Sequence, residues 1–187
     1  MRVVGGSLRG RTLAAPKSQT IRPTADRLRE ALFNILTHAY DSPLAGSRVL
    51  DLFAGTGALG IEALSRGAAF TLFVDDGAEA RALMRENVAT LGLGGTSRIF
   101  RRDATKLGPA HPVEPFAVAF LDPPYGKGLA EQALISARAG GWLVPDALIV
   151  VEEATKAKFA APEGFAELER RGYDDTEFVM LRLATAP

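Results

Sequence analysis

A four-residue segment in the second half of the chain, Asp122-Pro123-Pro124-Tyr125, combines a carboxylate, a stiff turn and an aromatic ring. Proline fixes its own backbone and restricts the residue before it, so Asp122 and the Pro123 carbonyl become adjacent, fixed acceptors. Two acceptors directed at one exocyclic amino group hold its nitrogen lone pair toward an electrophile. The Tyr125 ring offers a flat base a stacking surface. The segment therefore predicts methyl transfer to nitrogen.

A glycine-rich segment, Asp51-Leu-Phe-Ala-Gly55-Thr-Gly57-Ala-Leu-Gly60, is the second chemical feature. It follows a predicted strand and opens a predicted helix, where small residues allow a ligand close to the backbone N–H groups. The spacing also matches the G-x-G-x-x-G pattern of dinucleotide-binding proteins. The segment thus predicts a nucleotide-like ligand, either a dinucleotide or S-adenosylmethionine.

Carboxylates lie at the ends of three successive predicted strands. Asp75 lies 20 residues after Gly55 and can accept hydrogen bonds from two ribose hydroxyls, which suits either ligand. Asp51 favours S-adenosylmethionine, because NAD would bring a pyrophosphate toward this negative charge, whereas S-adenosylmethionine brings an ammonium group. Asp103 is placed to accept from an adenine amino group. We therefore expect a cofactor site at the ends of these strands.

Alternating apolar strands and helices are expected to position these residues. Strands are predicted at Val49–Ala54, Phe70–Asp75, Arg98–Arg101, Phe116–Asp122 and Ala147–Glu152, and helices at Ala58–Arg66, Ala78–Leu91 and Leu129–Ala139. This alternation predicts an α/β fold with a mostly parallel, doubly wound sheet. Phe165–Leu183 has strand character without an intervening helix, so we expect an antiparallel hairpin at one edge.

The N-terminal part is predicted to be a small extension of a single domain. Residues 1–15 have the composition of one or two short strands with glycine turns, and Thr24 is the expected N-cap of an amphipathic helix from Arg27 to Tyr40. We expect residues 1–22 to form a basic hairpin and loop, residues 23–40 a leading helix, and residues 47–187 the core.

The composition of the 187-residue chain limits the classes of site. With no Cys and two His, disulfides, thiolate zinc sites, iron–sulfur clusters and cysteine nucleophiles are excluded, and we expect no metal. No apolar run approaches the roughly 18–20 residues of a spanning helix, and the N-terminus lacks the apolar region of a signal peptide. We expect a cytoplasmic protein without a membrane partner. With no long apolar patch evident, we expect a monomer.

The net charge of zero hides an uneven distribution. Residues 1–30 contain seven basic and two acidic side chains, whereas the other 157 residues contain 15 basic and 20 acidic ones. A basic arm on a mildly acidic body favours a polyanion held at one end of the molecule, although a solvated, disordered leader has the same composition. A second basic cluster can lie on the same rim: Arg98, Arg101, Arg102 and Lys106.

Four segments together resemble one family. Gly5–Leu13 (GGSLRGRTL), Arg22–Leu36 (RPTADRLREALFNIL), the glycine loop and the D-P-P-Y segment are similar to the RsmD family of bacterial 16S ribosomal RNA guanine-N2 methyltransferases. The resemblance covers nearly the whole chain. It implies a Rossmann-like class I methyltransferase fold, S-adenosylmethionine as methyl donor and S-adenosylhomocysteine as product. The implied substrate is one guanine of 16S rRNA, in an assembled or partly assembled small subunit.

The resemblance also assigns residues to roles. It implies cofactor contacts for Asp51, Phe53, Gly55, Gly57, Asp75, Asp76, Asp103 and Ala104, contacts with the guanine for Asp122, Pro123, Pro124 and Tyr125, and RNA contacts for Arg9, Arg11, Lys17, Arg22 and Arg27. Many members carry Glu at the position of Asp75, so Asp76 can share the ribose contact.

Other functions fit part of the sequence. An N-methyltransferase acting on adenine N6 or a protein glutamine would use the same Asp122 segment, although the basic arm favours a nucleic acid. A NAD-dependent oxidoreductase would use the glycine loop but gives the Asp122 segment no role, and NADH fluorescence titration would detect it. A non-catalytic RNA-binding module would use the basic arm without needing Asp75 or Asp122.

Overall fold

The chain contains seven strands and four helices in a computed structural model that describes residues 1–14, 16 and 26–185. The strands are β1 (Arg48–Leu52), β2 (Phe70–Val74), β3 (Ser97–Phe100), β4 (Phe116–Leu121), β5 (Leu143–Ala154), β6 (Phe165–Tyr173) and β7 (Thr176–Leu183). The helices are α1 (Asp26–Ala39), α2 (Ala58–Ser65), α3 (Ala78–Leu91) and α4 (Leu129–Ala139). Thr24, the predicted N-cap, lies outside the described residues. Within the described ranges, no helix has the length and apolar character needed to cross a membrane.

The strands form one sheet in the order β3-β2-β1-β4-β5-β7-β6. Strands β1 to β5 are parallel to one another, and β7 runs antiparallel to both β5 and β6. The predicted doubly wound sheet with an antiparallel edge hairpin is therefore confirmed. The chain moves outward from β1 to β3 and then returns to the other side of β1 as β4. This reversal opens a crevice between the carboxyl ends of β1 and β4, where α/β proteins bind ligands.

Strand β5 begins at Leu143, earlier than the predicted start at Ala147. Pro145 and Asp146, which lie between these positions, are unfavourable in a strand and made this part of it hard to predict. In the structure Asp146 adopts a left-handed φ of 66°, and the register between β4 and β5 shifts between Phe116 and Val118. The strand thus continues through a bulge, which sequence patterns detect poorly.

Helices cover both faces of the sheet. On one face, α1 and α2 bury Leu32, Phe33 and Leu59 against Phe120 of β4. On the other face, α4 packs with the segment that precedes β4 around the buried Trp142, whose indole N–H donates to the Gly108 carbonyl at 2.7 Å. The sheet therefore has an apolar core on each side, and its carboxyl edge remains available for a ligand.

Residues 1–14 form a small antiparallel hairpin. Val3 N donates to the Arg11 carbonyl at 2.9 Å, and Leu13 N donates to the Met1 carbonyl at 2.9 Å. The side chains of Val3 and Leu13 are buried against Ile61 of α2. The predicted hairpin extension is thus confirmed, and it is packed on the core.

Two buried polar side chains attach this hairpin to the helices. Glu62 of α2 accepts hydrogen bonds from Val4 N at 2.8 Å and Gly5 N at 2.9 Å. Asn87 of α3 accepts from Ala14 N at 2.7 Å and donates to the Thr56 carbonyl in the glycine loop at 3.0 Å. Asn87 therefore links the end of the hairpin directly to the loop.

Candidate active site

The glycine loop connects β1 to α2 through three residues with left-handed backbone. The φ angles are 55° at Phe53, 59° at Gly55 and 82° at Gly57. Such an angle is uncommon for a residue with a side chain, and at Phe53 the surrounding hydrogen bonds hold it. Ala54 N donates to the Val74 carbonyl at 3.1 Å, and Gly57 N donates to the Ala54 carbonyl at 2.8 Å. The loop thereby directs the N-terminus of α2 toward the carboxyl edge of the sheet.

Asp51 lies beneath this loop and is only 1% exposed. Its Oδ2 accepts a hydrogen bond from Gly60 N at 2.9 Å, in the first turns of α2. A Cβ at Gly60 would lie 2.4 Å from the Phe73 ring and 3.0 Å from Asp51 Oδ2, so glycine permits the contact. Burial raises the pKa of Asp51 well above its ordinary range, and the Gly60 hydrogen bond opposes this shift. The carboxylate therefore supports the loop from within the core.

Asp75 closes the loop from the end of β2. Its Oδ2 accepts from Gly55 N at 3.0 Å and its Oδ1 accepts from Gly77 N at 2.8 Å. Partial burial raises the pKa of Asp75, while these two N–H groups oppose the change. A carboxylate offers about four acceptor positions, so Asp75 can also accept from a ligand hydroxyl. Asp76 is exposed beside it, and its carbonyl accepts from Arg81 Nη1 at 2.7 Å.

A cavity of about 250 Å³ lies beside these carboxylates. It is lined by Phe53, Val74, Asp75, Asp76, Arg102, Asp103, Ala104, Thr105, Pro124 and Leu129. The structure thus brings together five of the predicted cofactor residues: Phe53, Asp75, Asp76, Asp103 and Ala104. The other three, Asp51, Gly55 and Gly57, shape the adjoining loop.

The cavity lining fits a nucleoside. Phe53, Val74 and Leu129 provide apolar surface for a purine, and the carboxylates offer acceptors for hydroxyl and amino groups. Asp103 Oδ1 accepts from Thr105 N at 2.9 Å and from Thr105 Oγ1 at 2.7 Å, and these bonds lower the pKa of Asp103. It is therefore an ionised acceptor at neutral pH. Three carboxylates around one cavity disfavour a pyrophosphate group and favour a ligand without phosphate.

The Asp122 segment follows β4 directly and lies next to the glycine loop, because Leu121 of β4 pairs with Leu52 of β1. Asp122 is half-buried, Pro123 is buried, and Pro124 is exposed and lines the nucleoside cavity. The turn and the cavity therefore share a wall. A methyl donor in the cavity and an acceptor on the turn would lie side by side.

The Tyr125 ring is held by its hydroxyl group, which donates to Glu152 Oε1 at 2.5 Å. Burial, followed by the negative charge of Glu152, raises the pKa of Tyr125. The phenol therefore stays protonated at neutral pH and is suited to stacking and hydrogen bonding, not to acting as a base. Gly126 N, the next residue, donates to Glu153 Oε1 at 3.0 Å.

Comparisons with known proteins agree with this geometry. A family model described as "Conserved hypothetical protein 95" matches residues 1–182. "Ribosomal RNA small subunit methyltransferase D" of Escherichia coli is 42% identical over 153 residues, covering 81% of this chain and 74% of that protein. The chain belongs to the RsmD family.

Further relatives of this RsmD family member support the fold. "Putative rRNA methyltransferase YlbH" of Bacillus subtilis is 36% identical over 173 residues, covering 91% of this chain and 92% of that protein. The solved structure of "Putative methyltransferase yhhF from Escherichia coli" has a TM-score of 0.84 and 31% identity, and covers 98% of both chains. The sheet is accordingly that of a Rossmann-like class I methyltransferase.

Several site residues of this RsmD family member were absent from the sequence predictions. Thr105 and Leu129 line the cavity without belonging to a motif, and Arg102, which was predicted only as part of a basic cluster, lines it as well. Glu152 and Glu153 hold the Asp122 turn from the end of β5. The available signal for these glutamates was weak: two charged residues at the end of an otherwise apolar strand.

The predicted RNA-binding arginines of this RsmD family member lie on separate surfaces. Arg9 and Arg11 are exposed at the hairpin tip, where Leu8 N donates to Ser65 Oγ at 2.9 Å and Arg11 Nη2 to the Thr90 carbonyl at 3.3 Å. Ser65 and Thr90 lie near the ends of α2 and α3, so the tip is at the amino edge of the sheet, opposite the Asp122 turn. Arg27 of α1 is exposed 3.9 Å from Asp174, and Lys17 and Arg22 lie outside the described residues.

We expect Asp51→Asn to stabilise this RsmD family member, because the amide oxygen can still accept from Gly60 N and no charge is buried. Burial raises the folded-state pKa of Asp51, so this side chain lowers the free energy of unfolding least below its unfolded-state pKa of about 3.9. The destabilisation grows as pH rises through the folded-state pKa. The advantage of the variant should therefore grow with rising pH and reach about 2–4 °C in Tm, the shift that ~1 kcal/mol produces in a domain of this size.

Thermal unfolding of the wild type and Asp51→Asn between about pH 4 and pH 8 measures this difference. Asp175→Asn, at an exposed position, is the control for general charge effects. An advantage that shrinks with rising pH would contradict the assigned effect of burial.

Proposed function

We propose that the protein transfers a methyl group from S-adenosylmethionine to the exocyclic N2 of one guanine in 16S rRNA of the small ribosomal subunit. The observation that carries the proposal is the shared wall at Pro124, which joins the nucleoside cavity to the Asp122 turn. Membership of the RsmD family supports the rRNA substrate, since relatives are named as rRNA methyltransferases.

The cavity residues would hold the cofactor through its adenosine moiety. Asp75, with Asp76 beside it, accepts from the ribose hydroxyls, and Asp103 accepts from the adenine amino group. Asp51 holds the glycine loop in shape from within the core. When bound, S-adenosylmethionine supplies an electrophilic methyl group.

The Asp122 turn would hold the acceptor base. The Asp122 carboxylate and the Pro123 carbonyl accept the two N–H groups of guanine N2, which leaves the nitrogen lone pair directed at the methyl group. As N2 gains a methyl group it must release one proton, for which the Asp122 carboxylate is an acceptor. Tyr125 stacks on the base, which requires that the guanine is splayed out of its helix.

The basic surfaces suit a large RNA. The hairpin tip with Arg9 and Arg11 and the Asp122 turn lie at opposite edges of the sheet, separated by about the 20 Å length of α3. Arg101 follows β3 and lies at the carboxyl edge, on the same side as the turn. An RNA that contacts both edges must extend well beyond the target nucleotide, as in a small subunit. We propose that a monomer binds it.

Replacing Arg9 and Arg11 together with alanine should weaken binding to the small subunit by about 10- to 100-fold and reduce the slope of log affinity against log salt by about 2. Cofactor affinity should not change. Because the tip is far from the turn, a short RNA hairpin containing only the target loop should bind the variant and the wild type equally.

Binding titrations at several salt concentrations measure both effects. A variant with Arg138→Ala and Arg182→Ala removes the same charge on other elements and serves as the matched control. An unchanged salt slope, or an equal loss of affinity for the short hairpin, would contradict this role of the tip.

Nucleoside mass spectrometry tests the proposed function directly. The protein is incubated with S-adenosylmethionine and either unmethylated small subunits or naked 16S RNA. New N2-methylguanosine is the expected product. Methylated adenine would show that the acceptor is adenine N6. The absence of any methylated base in both samples would contradict an RNA substrate. A difference between the two samples reports whether ribosomal proteins shape the target.

A further inference from the structure

Two consecutive glutamates at the end of β5 contact two consecutive residues of the Asp122 turn. Glu152 and Glu153 are 4% and 2% exposed. Glu152 Oε1 accepts the Tyr125 hydroxyl proton at 2.5 Å, and Glu153 Oε1 accepts from Gly126 N at 3.0 Å. The side chain of Thr176, at the start of β7, also hydrogen-bonds with Tyr125. The ring and the backbone of the turn are therefore held from two neighbouring strands.

Burying carboxylates is costly unless hydrogen bonds offset the loss of water. Here Tyr125 and Gly126, both in the turn that follows β4, supply such bonds. Leu121 pairs with Val151, which places the carboxyl ends of β4 and β5 side by side. Each glutamate therefore lies within hydrogen-bond distance of the turn. A pair of buried carboxylates attached to this turn restricts its motion as well as filling the core.

We propose that Glu152 is a positioning residue that fixes the Tyr125 ring through the phenolic hydroxyl, with Glu153 fixing the adjoining backbone at Gly126. The ring then holds the acceptor base at a constant distance from the Asp122 carboxylate. Glu152 itself contacts neither base nor cofactor. This inference rests on the proposed methyl transfer to a base held by the turn.

The chain contains a matched control for this contact. Tyr40, the residue after α1, donates its hydroxyl proton to Glu169 Oε1 of β6 at 2.7 Å. The contact is of the same kind, a half-buried phenol on a glutamate from another element, and Glu169 in addition pairs with Arg171 at 2.8 Å. The pair lies away from the Asp122 turn. Variants of this pair measure how the loss of a phenol–glutamate hydrogen bond away from the site affects the stability and activity of the protein.

The test is a double-mutant cycle with Tyr125→Phe, Glu152→Met and both changes together, beside a second cycle with Tyr40→Phe and Glu169→Met. Methionine removes the acceptor at similar side-chain volume, whereas a glutamine oxygen can still accept the hydroxyl proton. Each single change at the turn should lower kcat/KM for the small subunit by about 10-fold, and the double variant should lose little more, because both changes remove one contact. The cofactor Kd should stay within about two-fold of wild type in all variants. The control cycle should leave kcat/KM unchanged.

Amide hydrogen exchange over residues 122–128 provides a readout that does not depend on activity. Exchange there should accelerate in Glu152→Met while the rest of the chain keeps its protection, and should not change in Glu169→Met. Fully multiplicative losses in the first cycle, equal losses in the control cycle, or unchanged exchange at the turn would each overturn the positioning role. A wild-type protein that methylates no RNA would instead overturn the proposed function, and the exchange measurement would still decide whether Glu152 holds the turn.

Discussion

Replacing Asp122 with alanine is expected to reduce methyl transfer to RNA by about 100- to 1000-fold, the loss typical of removing one preorganised polar group from a reacting centre. In the proposed mechanism, the change removes an acceptor for the N2 protons and leaves only the Pro123 carbonyl to orient the amino group. Cofactor affinity should remain within about two-fold of wild type, because the cavity lining includes Pro124 but not Asp122. The loss should therefore appear in the chemical step.

Single-turnover methylation of small subunits, with calorimetric titration of S-adenosylmethionine, separates the two quantities. Asp122→Asn keeps the shape of the side chain but turns part of it into a donor, so it should lose nearly as much activity. Asp175→Asn is the matched control at an exposed site. If Asp122→Ala retains wild-type turnover, Asp122 does not hold the acceptor.

Replacing Asp75 with alanine is expected to weaken S-adenosylmethionine binding by about 100-fold, whereas Asp76→Ala should weaken it by only about three-fold. The difference arises because Asp75 also accepts from Gly55 N at 3.0 Å and Gly77 N at 2.8 Å. Its removal disturbs the glycine loop in addition to the proposed ribose contact. Asp76 is exposed and contributes its carboxylate alone.

Cofactor titration of both variants distinguishes the two carboxylates. Asp75→Asn retains an acceptor for one backbone N–H and should fall between the other two. Thermal unfolding shows whether any loss comes from a disordered loop in the free protein. A larger effect at Asp76 than at Asp75 would assign the ribose contact to Asp76.

Much of the fold was predictable because its signals are local. The helices Ala78–Leu91 and Leu129–Ala139 have the predicted bounds, since apolar spacing and the glycines beside them mark both ends. The strands before the glycine loop and the Asp122 segment were predictable for the same reason. Because parallel strands present their carboxyl ends at one edge, the sequence order alone predicted that Asp75 and Asp103 would lie at one cofactor site.

Other features depend on contacts between distant segments. Glu152 lies 27 residues beyond Tyr125, and only the pairing of β4 with β5 brings the two together. Burial of Asp51 depends on how α2 packs, and a carboxylate at a strand end has the same local pattern whether it faces a ligand or the core. The position of the hairpin tip with Arg9 depends on the hydrogen bonds from Val4 and Gly5 to Glu62. No local sequence pattern predicts these bonds.

The amino-acid sequence by itself determined the fold class, the family and the residue types of the candidate site, because spacing, proline and glycine act within a few residues. Only the tertiary structure decided which acceptors line the cavity and which support the backbone. It also placed Arg9 at the edge of the sheet opposite Asp122. The physical reason is that burial and hydrogen bonding are set by side chains from several elements at once. For the Asp122 turn, the deciding partners come from β5 and β7.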